Sequence, residues 1–233
     1  MVGLFDRLTF GDTGPTVGET NRPTRDVLER IEAGETPSTL GLPVLDVIAA
    51  LAFEALGGEK SLGLPLIKGE PRRPAIAKAL SEPALAAWLP NAARPARLAL
   101  SAGLLQIFEE WSASHEAAQE ADDLGEDKVA GYWHAIAHRR EPDAGNATYW
   151  FRRIGRHPVF GAMERTIATW PTDEPNPAPV DRLVKGGEWD PLGFINWCDQ
   201  ARPGSPTLSV GRRLQRAEMI WLLEYTAEVA GVR

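Results

Sequence analysis

The sequence predicts an all-α fold, a single-domain helical bundle of about seven to nine helices with an irregular N-terminal arm and a proline-rich loop. Three observations predict it. Apolar residues recur at helical spacing between proline and glycine stops, no stretch alternates with a period of two, and no unit repeats at fixed length. With 233 residues and 43% hydrophobic content, the chain is long enough for one compact core.

In chain order, Met1–Asn21 is rich in Gly, Thr and Pro and reads as an extended arm, so that residues 1–40 form the arm with a short helix and 41–233 the domain. Thr24 is placed to cap that short helix through Ala33, which Gly34 ends. Pro43–Leu56 is the most apolar segment, hydrophobic on most faces, and is read as the central core helix before the Gly57-Gly58 stop. Pro65–Pro74 is a loop with Lys68, Arg72 and Arg73 on its edge, followed by two short helices, Ala75–Leu80 and Pro83–Leu89. From Pro95 to Ala121 the pattern reads as one long helix without a breaker, with His115 near its end. Asp122–Lys128 is a charged loop.

Val129–Glu141 is helical and Glu141 continues the stripe of His134 and His138 at i+7, but Pro142, lacking an amide hydrogen, ends the helix there and is expected to swing Glu141 off that stripe. Asp143 is placed to cap a second helix reaching Arg153 or Ile154, which Gly155 ends. His157-Pro158 opens a third, running to Trp170. The run PTDEPNPAPV cannot be regular structure. Short helical pattern resumes at Pro191–Gln200, and Leu208–Ala230 is the long amphipathic last helix.

The stretch Gly131–Phe160 concentrates the chemistry. It holds His134, His138 and His157, three of four histidines, and five arginines against Glu141 and Asp143, a local +3 in a chain of net charge −7. His134 and His138, four residues apart, lie one turn apart on one helix face. The run GYWHAIAHRREPDAGNATYWFRRIGRHPVF, with SASHEAAQE before it and EWDPLGF and LQRAEMIWLLEY after it, resembles an uncharacterised family of all-helical bacterial and fungal proteins over roughly Leu98 to the C-terminus. The resemblance implies a helical fold and weight on these positions, and no mechanism. In that family glycine follows the acidic residue of HRRE, where this chain has Pro142.

Three functional readings fit the residues. The first is a small-molecule pocket doing acid/base chemistry on a small anionic or sugar-like ligand. Its catalytic candidates are His115, His134, His138 and His157. Arg139, Arg140, Asn146, Tyr149, Trp150 and Arg153 would bind the ligand, because guanidinium forks match carboxylate and phosphate and aromatic rings stack on planar or sugar-like groups. The second is a divalent metal site, zinc or iron, on His134 and His138 with a further ligand from His115, His157 or a carboxylate. HxxxH alone is a weak signal, and no HExxH is present. The third is a non-enzymatic interaction protein in which the arginines are clasped by Glu109, Glu110 or Glu116.

Composition narrows the partners. The acidic balance argues against nucleic acid. The longest apolar run, Val47–Phe53, is too short for a membrane span, and Asp6 and Arg7 interrupt any signal peptide, which leads to the expectation of a cytoplasmic protein. Lone Cys198 permits no intramolecular disulfide and is read as a buried structural residue. A homodimer is the assembly expected if the chain self-associates.

Overall fold

A computed structural model describes residues 23–58, 61–71, 73–170 and 179–232. Residues 1–22 of the predicted N-terminal arm and most of the proline-rich run lie outside the described residues. Within them the protein is all-α, with twelve helices, more than the seven to nine expected. The difference comes from short proline-started turns and from one long segment that breaks in two. In order these are α1 (Thr24–Glu32), α2 (Pro37–Leu40), α3 (Val44–Leu56), α4 (Pro74–Ala79), α5 (Glu82–Trp88), α6 (Arg94–Ile107), α7 (Trp111–Asp123), α8 (Val129–Arg140), α9 (Ala144–Ile154), α10 (Pro158–Ala168), α11 (Pro191–Gln200) and α12 (Pro206–Val229). A 3-10 turn at Val180–Leu183 leads into the two-residue strands β1 (Val184–Lys185) and β2 (Glu188–Trp189), a pairing too short to leave a periodic signal. No helix of the described residues is long and apolar enough to cross a membrane.

The predicted starts and stops around the centre hold. The Asp143 carboxylate accepts from the Asn146 amide and caps α9, Gly155 ends it at positive φ, and Pro158 is the first residue of α10. Thr24 acts differently from expectation: Pro23 is the capping position and the Thr24 hydroxyl is turned to the Glu54 carboxylate.

The unbroken helix predicted for Pro95–Ala121 is corrected. The chain turns at Phe108–Glu110, where Glu109 takes φ 67°, an unusual conformation for a residue with a side chain. Neither proline nor glycine makes this corner. It is held from outside: the Glu109 carboxylate accepts from Arg140 Nη2 at 2.8 Å and from the Gly69 amide at 2.9 Å. The reversal folds α7 back on α6, where the Ser114 hydroxyl lies 2.8 Å from the Ala102 carbonyl oxygen and 3.0 Å from Gln106 Oε1.

The central helix is α8 rather than the apolar Val44–Leu56. All twelve residues of α8 are buried, and Trp133, Arg140 and Tyr132 are among the largest fully buried side chains. Helix α3 instead leaves several positions part-exposed and packs on α1. Small residues let the neighbours of α8 close in. A Cβ on Gly103 of α6 would stand 2.6 Å from the Trp133 ring, and one on Gly131 would stand 2.7 Å from Ile154 of α9. Charge on α8 is matched by carboxylates from distant segments, Arg140 by Glu109 and Arg139 by Glu218 of α12, at 2.5 Å. Without those partners, burying two guanidinium groups would cost several kcal/mol each, roughly.

Candidate functional site

Two helices bring three imidazoles to one point. His134 and His138 stand a turn apart on α8 as their spacing predicts, with near-parallel rings 4.9 Å apart. His115 arrives from α7 only because that helix reverses at Glu109. The Trp111 indole nitrogen pins the start of α7 to α8 by donating to the Ala137 carbonyl at 2.9 Å, and His115 follows one turn later on the same face.

The Nε2 atoms converge. His115 Nε2 is 2.8 Å from His134 Nε2 and 3.4 Å from His138 Nε2, and all three ligand atoms lie within 4.8 Å of one another. In a tetrahedral zinc site with Zn–N near 2.0–2.1 Å, neighbouring nitrogens stand about 3.3 Å apart, so these spacings bracket that edge. Hydrogen bonds alone serve the cluster poorly, because the Nε2 of His115, with either one proton or one in-plane lone pair, faces the Nε2 atoms of both other rings. Among the described residues this is the one group of three or more metal-ligating side chains so arranged.

Aromatic rings wall the cluster. Trp150 of α9 stacks on His134 with centroids 4.1 Å apart, and Trp111 stacks on His115 at 5.0 Å. Burial and mutual proximity keep the imidazoles neutral, the form that binds metal. His134 is pushed down to about 3, chiefly by burial and then by His115 and His138. His115 and His138 are also lowered by burial, with Glu141 opposing the shift in both. His134 and His138 are buried and His115 is part-exposed, so the cluster reaches solvent on the α7 side.

The remaining predicted residues are distributed differently. His157 caps α10 through Nδ1, which accepts from the Val159 amide, and packs against Tyr132, Phe160 and Tyr225, apart from the other three. Arg139 and Arg140 are buried in their ion pairs, and Arg153 donates to Asp122 at 2.7 Å while lying over the outer ring of Trp150. The exposed Asn146 amide donates to Asp143 at 2.7 Å, and Tyr149 is 58% exposed, edge-on to Trp150. Of the predicted set, His115, His134, His138 and Trp150 therefore meet, and the guanidiniums are occupied by carboxylates. Cys198 is half-buried, its thiol pushed up to about 12 by burial, which disfavours the thiolate near neutral pH.

Comparison with protein-family models, curated proteins and solved structures found no match. The functional reading therefore rests on the geometry of the site itself. Three neighbours of the imidazoles lie outside the residues named as site candidates from the sequence: Trp111, Lys68 and Glu141. Trp111 precedes His115 by four residues, which a helix reading could have placed on the same face. Lys68 comes from a loop and could not be placed by spacing. Glu141 does not swing away at Pro142; it caps α8, and its Oε2 stays 3.6 Å from His138 Nδ1.

His157 gives a pH dependence separate from the cluster. Burial and nearby Lys128 lower it to about 4 in the folded chain, against 6.5 for a free imidazole. Between those values the unfolded chain binds more protons, so stability falls as pH falls from 6.5, and this contribution levels off below about 4. Over the window the loss approaches about 3 kcal/mol. Urea melts of His157→Asn, which keeps a capping acceptor, will show a weaker dependence on pH between 6.5 and 4 than the wild type; parallel curves would show that His157 titrates normally.

Proposed function

We propose that the protein binds one divalent first-row transition-metal ion, zinc or iron(II), through Nε2 of His115, His134 and His138, and uses the ion's open coordination positions for chemistry on a small molecule. The convergence of three neutral imidazole nitrogens from two helices carries this reading. Three protein ligands with a free position are the pattern of catalytic rather than structural zinc, which is closed by four. An ion held this way supplies a Lewis acid and lowers the pKa of a bound water to about 7. Hydrolysis or hydration of a small substrate is the reaction class that follows.

The alternative of an acid/base pocket for an anionic or sugar-like ligand draws less support. It needs free guanidinium groups, and Arg139, Arg140 and Arg153 each face a carboxylate. The interaction-protein alternative accounts for those clasps and leaves the convergent imidazoles without a purpose. A cytoplasmic setting, read from the sequence, is compatible with a metal held by imidazole alone.

Metal analysis separates these readings. The full chain, stripped with chelator and dialysed against zinc or iron(II), is expected to retain about one ion per chain and to melt at higher temperature when loaded, since a ligand binding only the folded state stabilises it. A chain that retains none and whose melting ignores the ions would return the cluster to the acid/base reading.

A further inference from the structure

The loop Leu66–Glu70 is tied across the end of α8. The Lys68 amide donates to the Arg140 carbonyl at 2.7 Å and the Gly69 amide to Glu109 at 2.9 Å. This sets the Lys68 ammonium 3.6 Å from the centroid of the Trp111 ring and 3.1 Å from Glu141 Oε1. The second oxygen of that carboxylate stands 3.6 Å from His138 Nδ1, an ion-pair distance rather than a hydrogen bond, and Nδ1 has no hydrogen-bond partner among the described residues. One carboxylate thus lies between a lysine and an imidazole whose other nitrogen belongs to the cluster.

We propose that Glu141 is a positioning residue for the metal centre, acting through His138, and that Lys68 limits how strongly it acts. The inference rests on the metal reading above. Nδ1 and Nε2 leave an imidazole in divergent directions, so Glu141, on the Nδ1 side, backs the ring instead of ligating. Carboxylates in this position fix the tautomer with the proton on Nδ1, leave the Nε2 lone pair for the metal, and raise the ring's basicity as a ligand. Lys68 draws on the same carboxylate and adds a positive charge beside an ion that already carries two. Its presence therefore weakens binding while holding the loop in place.

The two ends of one ion pair are thereby assigned opposite effects, which a purely structural pair would not have. Both side chains are about one-third exposed, and the pair's own contribution to stability is small after solvent screening. Glu141→Gln and Lys68→Met are expected to fold and, metal-free, to melt close to the wild type. Cobalt(II) and zinc titrations of the full chain test the assignment. Glu141→Gln is expected to bind 10- to 100-fold more weakly, roughly the loss seen when such backing groups are removed, and to shift the visible bands of bound cobalt. Lys68→Met is expected to bind several-fold more tightly, and most of that gain is expected to vanish when Gln occupies position 141. If the wild type binds and the two variants weaken together or match it, this inference fails and the three-histidine site stands. If the wild type binds neither ion, and His115→Ala behaves identically, the metal reading itself fails and takes this one with it.

Discussion

His115→Ala will reduce zinc affinity by about 10²–10³-fold while leaving the metal-free fold intact. The magnitude follows from structural zinc sites, whose roughly 10–16 kcal/mol is shared among four ligands, or about 3 kcal/mol each, and tenfold in affinity is about 1.4 kcal/mol. His115 is the informative position because it is part-exposed and on α7, whereas His134 and His138 stay paired on α8. Removing it leaves a two-nitrogen site that any HxxxH helix could offer. Calorimetric titration of both proteins gives the ratio, and metal-free thermal melts control for folding. Equal affinity in the two proteins would mean that α7 contributes no ligand.

Glu218→Ala will destabilise the fold by about 3–5 kcal/mol, the cost of leaving a buried charge without its partner. Glu218 is fully buried, accepting from the Tyr132 hydroxyl at 3.0 Å and from Arg139 Nη2 at 2.5 Å. Arg139 lies over the Phe194 ring and has no other hydrogen-bond partner for Nε or Nη1 among the described residues. Against a typical total of about 5–15 kcal/mol, that loss removes a large share of the folding stability. The double variant Arg139→Met with Glu218→Leu separates charge from shape. It is expected to recover most of the loss, since apolar replacement of a buried pair is often neutral or stabilising. Urea unfolding measures both, and a Glu218→Ala loss under about 1 kcal/mol would contradict an unsolvated ion pair.

Local signals carried what was legible in the sequence. Pro142, Asp143, Gly155 and Pro158 bound α8, α9 and α10 where their backbone chemistry predicts, and the four-residue spacing of His134 and His138 survives as a shared face. The corner at Glu109 was not legible, because Phe108, Glu109 and Glu110 are compatible with a continuing helix. Partners 31 and 40 residues away, Arg140 and Gly69, make the turn. The arrival of His115 at the cluster depends on that turn, so the third imidazole was visible as a residue type and not as a place.

Hydrophobicity also misdirected the choice of central helix. Helix α8 carries Arg139 and Arg140 and looks amphipathic at best, yet it lies innermost because Glu109 and Glu218, distant in sequence, neutralise it. The same pairing explains why an arginine-rich stretch that suggested an anion pocket turns out occupied. Arg139 and Arg140 tie α8 to Glu218 and Glu109, and Arg152 and Arg156 are exposed.

Zinc K-edge X-ray absorption on the loaded full chain tests the central claim most directly. Three imidazole nitrogens and one oxygen donor at about 2.0–2.1 Å, falling to two imidazoles in His115→Ala, is the result this structure predicts. An ion ringed by oxygen alone, or by the same imidazole count in both proteins, would contradict it.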